Sequence, residues 1–467
     1  MKILVRFSAL ICCLACIVSL YACQGSCWAS RSIYEFDDPN PGAAESIPAP
    51  KIETPSLIEP DEEETGGCFS SIDEINARSK NYTKISIDAG YNALQSDVQR
   101  AFYEAVEAQV YVVGSEKNDD ELYLIERISL DTAMTESDIR VGLSAYKNDH
   151  PEIFWLSNQF SYVTSDITQV QLYSSLSPSE ISEKSEKLIT AIEYFINKIP
   201  SGLSEFDREL IIHDLLLSGC VYNEEVESTA EDWRPFSIYG ALVEGSAVCE
   251  GYSRAMQYLL SIFGIECNTV NGMGSDNPHQ WNIVKIDGQW YHLDATWNDT
   301  TTEDIYYGYF NLDDSLISLD HESAPLFYNM TDKEICGRDD GTDAELFNIF
   351  LPECTSSDAN FYRSSSVLYD GDSDECSQRI EQKITECIND GSNVVYLYID
   401  ESIDYSQAIN SLFYEPPYQI FSCIEAVNSE YSDIINAEKV SIIKRESQRI
   451  IEVRLQYKGD EETSEEI

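Results

Sequence analysis

Apolar residues recur at three- and four-residue spacing over 91–109, where Leu94, Val98, Phe102 and Val106 share one face, and this predicts a helix. The segment ELYLIERISL (121–130) reads as a strand. ESDIRVGLSAYKNDHPEIFWL (136–156) reads as a helix that stops near His150-Pro151, because a residue before proline is pushed out of the helical region, with a short strand after it. Residues 178–199 and 204–223 carry two more amphipathic helices. The second opens at Ser204, with Asp207 in its first turn.

From 240 to 312 the pattern becomes one helix followed by strands. GYSRAMQYLLSIFGI (251–265) is a helix ending near Gly264. ECNTVNGM (266–273), QWNIVKI (280–286) and QWYHLDATW (289–297) are strand-like. Asp287-Gly288 between the last two predicts a hairpin turn. Strand and helix signals resume in VVYLYI (394–399), DYSQAINSLF (404–413) and KVSIIKRESQRIIEVRLQY (439–457), which predicts a separate small α+β domain.

Before residue 83 the chain reads differently. Lys2 and Arg6 precede or flank an uncharged apolar run (7–22) that is short for a membrane span and fits an export signal. The run ends in LYAC, similar to a bacterial lipobox, so that either Cys23 carries lipid or the chain is cleaved nearby. Residues 24–82 are rich in proline and acid and are expected to be a tether. The domain plan is therefore 1–23 signal, 24–82 tether, 83–200 an N-terminal α+β region, 201–330 a catalytic core and 331–467 a C-terminal α+β domain. The expected location is extracellular or at the cell surface, with membrane contact only through the N-terminal signal or lipid.

Composition narrows the partners. The 467 residues include 83 acidic and 30 basic ones, a net charge of −53. Such a surface repels nucleic acid and anionic headgroups. The fourteen cysteines show no compact disulfide framework and no C-x-x-C pair in the mature region.

One cysteine stands apart. Cys249, in GSAVCEGYSRA, falls where a small-residue loop becomes a helix. His279 starts one hairpin strand and Asp294 lies on the next, at comparable heights if a slight stagger is allowed. A free thiol is mostly protonated at neutral pH. A helix N-terminus contributes only about 0.3–1 kcal/mol at an exposed site, less than the ~1.4 kcal/mol of one pKa unit. A paired imidazolium is needed to make the thiolate dominant, and a carboxylate to orient the imidazole. The helix start also offers backbone N–H groups to an oxyanion. Gly245, Ser246 and Ala247 are expected to leave room for substrate.

GSAVCEGYSRAMQYLLSIFGIECNTVNG and HQWNIVKIDGQWYHLDATWND together resemble the core of the transglutaminase-like superfamily. Weaker similarity covers DHPEIFWL, IHDLLLSGCVYN and IYGALVEG. The resemblance implies an α+β, papain-like core, in which a helix bearing the cysteine packs on an antiparallel sheet. It also implies chemistry at an amide through a thioester. Carried over, Cys249 is the nucleophile, His279 the general acid/base and Asp294 the orienting carboxylate. Tyr239, Trp233 and Trp281 are candidates for a second oxyanion donor or cleft wall.

No calcium-site pattern is present, no cofactor is implied, and Cys249 with His279 lacks a further Cys or His at zinc-ligand spacing. Trp281, Trp290 and Trp297 are expected in core and cleft-wall packing. His292 is expected to face away from the triad, and His213 and His150 to serve packing or capping. The expected activity is that of an exported peptidase or amidase, slightly favoured over a transamidase, on a peptide or protein substrate, wall-associated or free. The alternative is a surface binding or adhesion protein that keeps the fold without catalysis.

Overall fold

The computed structural model describes residues 45–46, 85–224, 232–275, 277–299, 305–323, 351–431 and 434–458. The expected signal, Cys23 and nearly all of the expected tether lie outside the described residues. No helix among the described residues is long and apolar enough to cross a membrane.

The chain divides into two compact units: Met1–Tyr309 with Ile317–Thr355, and Phe310–Leu316 with Ser356–Ile467. In the first, helix α1 (Asp97–Gln109) is capped by Ser96, whose side chain accepts from Gln99 N–H. Strands β1 (Val112–Lys117), β2 (Tyr123–Ile125) and β3 (Ile128–Leu130) follow. Helix α2 (Glu136–Asp149) opens on a capping box between Thr135 and Asp138 and ends before Pro151, where the X-Pro rule places its end. The strand after it, β4 (Leu156–Thr164), is longer than the sequence pattern implied and forms an antiparallel pair with β5 (Thr168–Ser174). On its other edge β5 pairs with β2 and β3.

Helices α3 (Pro178–Lys198) and α4 (Glu205–Gly219) are capped by Ser177 and Ser204. Two short parallel strands, β6 (Val221–Tyr222) and β7 (Ser246–Ala247), then lead into α5 (Cys249–Ile262). Beyond it lies the antiparallel sheet β10–β9–β8–β11, built from β8 (Cys267–Gly274), β9 (Asn277–Ile286), β10 (Gln289–Leu293) and β11 (His321–Ser323). Asp287 (φ 48°) and Gly288 (φ 81°) make the turn between β9 and β10. Both carry positive φ, as that hairpin type requires.

Helix α5 is buried along nearly its whole length, including Tyr252, Met256, Leu259 and Leu260. A polar thread ties it to the sheet: Ser253 Oγ donates to Gln280 Oε1 at 2.5 Å, and Gln280 Nε2 donates to Asn271 Oδ1 at 2.7 Å. Helix α2 is linked to the same layer, with Arg254 Nη1 donating to Lys147 O and Thr269 Oγ1 to Asn148 Oδ1.

The second unit holds β12 (Val367–Tyr369), α6 (Asp374–Asp390), β13 (Val394–Ile399), α7 (Gln419–Glu430), β14 (Ser441–Arg445) and β15 (Ile450–Arg454). Its sheet runs β12–β13–β15–β14, with β12 and β13 parallel and the other pairs antiparallel. The alternation in VVYLYI sends Val395, Leu397 and Ile399 into the core against Ile380, Ile384, Ile420 and Ile424. Buried Glu452 accepts from both Arg445 and Arg454.

Candidate active site

Cys249 is the first residue of α5. The N–H groups of a helix's first turn have no intrahelical acceptor, so at the start of α5 they can take an anionic oxygen. The small residues before it do structural work. Gly245 takes a left-handed conformation (φ 67°) that other residues rarely adopt, and a Cβ there would meet Gly219 O at 2.7 Å. Ser246 and Ala247 pair with Val221 and Tyr222, and Ala247 is buried. These three residues fix the entry to the helix. Two positions past Cys249, Gly251 lets Pro235 O pass where a Cβ would come to 2.5 Å.

His279 and Asp294 meet, though not as cross-strand partners. The ladder pairs Asn282 with Leu293 and ends there, so His279 has no partner on β10. The strand expected through Trp297 stops at Leu293, and Ala295–Asn298 form a single helical turn. Asp294 is the N-cap of that turn, its Oδ1 accepting from Thr296 N–H (2.9 Å) and Trp297 N–H (3.2 Å). This leaves Oδ2 to accept from His279 Nε2 at 2.7 Å. With Nε2 engaged, Nδ1 is the ring nitrogen left for the thiol.

Asp294 is wholly buried and His279 nearly so. Burial alone would pull the His279 imidazolium down, but the Asp294 carboxylate and the Cys249 sulfur outweigh it and hold the ring protonated well above the usual histidine range. Burial likewise pushes Asp294 up, and the His279 charge and hydrogen bond, with a further hydrogen bond from His321, bring it below the usual carboxylate range. The two shifts describe one ion pair seen from its two ends.

Aromatic rings brace the imidazole. Trp281 stacks on it (centroids 6.0 Å apart, 15° between planes) and Trp297 lies 5.5 Å away. Trp281 is buried and donates through Nε1 to His292 Nδ1 at 3.1 Å. His292 thus lies on the His279 side of the sheet, opposite Ile283 in the ladder, and does not face away as expected. Tyr239 is buried among Phe154 and Trp233, under the Lys184 ammonium. His213 is buried and its Nε2 accepts from Asn298 Nδ2, securing the turn that Asp294 caps.

Two residues were not singled out by the sequence. Tyr222, 43% exposed, stands at the edge of the same centre: the partial burial of its phenol, then the nearby Cys249 and Asp294 charges, push it up to about 12. Its backbone N–H is held by the Asp299 carboxylate, which also accepts from Tyr252 OH. His321, on the edge strand β11, donates through Nε2 to Asp294 Oδ2 at 3.1 Å, and its Nδ1 lies 2.6 Å from Asp320 Oδ1. Of the chain's five histidines it alone sits in a stretch with no motif, 27 residues after Asp294, and only pairing of β11 with β8 brings it in. The donor atoms of His279, Asp294 and His321 lie within 4.8 Å of one another. The Nε2 atoms of both imidazoles lie within hydrogen-bond distance of the same carboxylate oxygen, which when ionised can only accept.

The seven described cysteines are free thiols. Six are buried and Cys249 is partly exposed. Burial raises Cys220 to about 11 and Cys423 to about 12, and also raises Cys267, Cys376 and Cys387.

Residues 196–295 match the transglutaminase-like superfamily. The mouse kyphoscoliosis peptidase is 28% identical over 138 residues, covering 24% of this chain and 21% of that protein. The chain thus spans about a fifth of the length of the curated relative it matches. Among solved structures, a TGase is 14% identical, with a TM-score of 0.23 over 38% of this chain and 52% of that one. A candidate cysteine protease of Cytophaga hutchinsonii is 11% identical, with a TM-score of 0.22 over 38% of this chain and 69% of that one.

Proposed function

We propose, from the premise that residues 196–295 are a transglutaminase-like domain, that this chain is a cysteine enzyme acting on amides through a thioester. Cys249 is the nucleophile, His279 the general acid/base and Asp294 the carboxylate that orients it. The observation that carries the reading is the buried hydrogen bond from His279 Nε2 to Asp294 Oδ2, on a ring whose protonation the Cys249 sulfur also favours. That arrangement stabilises a thiolate–imidazolium pair.

The thiolate Sγ attacks the carbonyl carbon, and the oxyanion is met by the N–H groups at the start of α5. Tyr222, whose phenol shares the centre with Cys249, is a better candidate for the second donor than Tyr239 or Trp281, which are packed against other rings. As the C–N bond breaks, His279 gives its proton to the leaving amine. It then takes a proton from water, or from an amine, as that nucleophile attacks the thioester and the thiolate departs. Water as acceptor makes the enzyme a peptidase or amidase, the reading preferred here; an amine makes it a transamidase. The substrate is a peptide or protein. Export through residues 1–23, after which either Cys23 carries lipid or the chain is cleaved nearby, belongs to the same proposal, as do domain limits at 83 and 201.

The test is alkylation of the native full-length chain by iodoacetamide, with labelled sites read by peptide mass spectrometry. Cys249 is expected to react at least tenfold faster than the buried thiols at pH 6, and the advantage to vanish in His279→Ala. Equal, slow labelling of Cys249 and the rest would leave a non-catalytic binding protein as the better account. Incubation with a peptide library, with and without a primary amine, separates shortened products from glutamine adducts.

A further inference from the structure

His321 is as buried as Asp294 and lies between two carboxylates. Its Nε2 is 3.1 Å from Asp294 Oδ2 and its Nδ1 2.6 Å from Asp320 Oδ1. A neutral imidazole carries one N–H, and an ionised carboxylate can only accept. Both contacts are hydrogen bonds to carboxylates only if both ring nitrogens carry hydrogens. Asp320 is held in turn by Tyr309, whose OH donates to its other oxygen at 2.7 Å.

Among the described residues, the titratable groups that face His321 are His279, Asp294, Tyr309 and Asp320. From β9 it faces the His279 ring (centroids 5.4 Å apart) and Trp281; from the turn that Asp294 caps it faces Asp294 and Trp297; beside it stand Tyr309 and Asp320. Its neighbour on β11, Glu322, is exposed. These groups form a row: Asp320, His321, Asp294, His279 and Cys249.

We propose that His321 is a positioning residue of the catalytic centre, held as an imidazolium between Asp320 and Asp294, and that its charge sets the pH limits between which Cys249 and His279 form an ion pair. This rests on the reading of Cys249 as the nucleophile. The second cation shares the Asp294 oxygen, so Asp294 does not bind the His279 proton with its full charge, and His279 stays acidic enough to protonate a leaving amine. The same charge favours the thiolate. Removing it disfavours loss of a proton from either group, so both limits move to higher pH. Like charges about 5 Å apart at an effective dielectric of 20 or more shift one another by roughly one to two pH units.

The experiment compares iodoacetamide alkylation of Cys249 in the wild-type chain and in His321→Gln across pH 3 to 10, with labelling at Cys249 read by peptide mass spectrometry. Glutamine keeps a neutral N–H donor for Asp294 and removes the charge, so hydrogen bonding and charge are separated. The limb set by His279 is expected about one to two pH units higher in the variant, and the limb set by Cys249, which lies beyond His279, is expected to move the same way by less. Wild-type limbs in a folded His321→Gln chain would overturn the proposal. Should that variant not fold, nitrogen-15 NMR of the histidine rings of the wild-type chain decides: two protonated ring nitrogens on His321 at pH 7 support it, and one overturns it. A wild-type Cys249 that alkylates no faster than the buried thiols would instead remove the catalytic reading itself.

Discussion

The backbone of Gly274 lies flat against the His279 ring: a Cβ at this position would come within 3.2 Å of two ring carbons and 2.9 Å of the Trp297 ring. The end of β8 is thus part of the device that aims the imidazole. Gly274→Ala forces both rings to move, and overpacking of this kind costs about 1–3 kcal/mol. The expected result is a lower melting temperature and at least a tenfold slower alkylation of Cys249. A variant with wild-type reactivity would show that the ring has slack.

Asp294 does two tasks with two oxygens, capping a helical turn and holding two imidazoles. Asparagine can still cap. Its amide nitrogen, however, would confront the two Nε2–H groups and favour the wrong tautomer of His279. Asp294→Asn is expected to lose about three to four orders of magnitude in turnover, by analogy with the orienting carboxylate of other triads. Asp294→Ala also loses the cap, about 1 kcal/mol, and denaturation by urea should find it less stable than the asparagine variant. The reverse order would mean that capping contributes nothing.

Stability should follow pH through the same pair. His279 is raised above its unfolded value, so its contribution is complete below about pH 6.5 and is lost as pH climbs toward its folded value. Asp294 is lowered, so its contribution is complete above about pH 4 and is lost as pH falls toward its folded value. The stability gap between wild type and Asp294→Asn is expected to be widest between about pH 4 and 6.5 and to narrow on both sides. Taking the gap cancels the general effect of the chain's acidity. A gap independent of pH would mean the pair does not form.

Gln280 faces the opposite side of β9 from His279 and connects Ser253 on α5 to Asn271 on β8. This buried thread sets the height of the cysteine helix against the histidine strand. Gln280→Leu leaves the Asn271 side-chain carbonyl without its donor, at about 1–3 kcal/mol, and leaves the Ser253 hydroxyl only Glu250 O to bond, so that both ties from β9 are lost. Loss of stability in urea together with slower Cys249 alkylation is expected. Lost stability with unchanged reactivity would show that Gln280 holds the layers together without setting the site.

Local rules carried far in this chain. Serine and threonine caps at Ser96, Thr135, Ser177 and Ser204 started helices where side-chain chemistry required. Asp287-Gly288 closed the hairpin for backbone reasons contained in two residues. Other expectations failed: the helix read over 91–109 is broken at Leu94 and starts again at Asp97, and the strand read over 121–130 is two strands, β2 and β3. DATW has strand-like residues, yet Asp294 turns the chain into a helical turn, because a buried carboxylate with two free N–H groups ahead of it is a better cap than a ladder residue.

Cys249, His279 and Asp294 were legible because their order and flanking residues are written into about fifty positions of contiguous chain. A strand's alternation and a helix's start are short-range properties, and short-range properties survive in one dimension. His321, Asp320 and Tyr222 were not legible. They reach the centre through strands β11 and β6, whose partners lie far along the chain and whose own residues announce no periodicity. Which hydrogen bonds a buried imidazole makes depends on what the folded chain packs around it, and that was decided only in three dimensions.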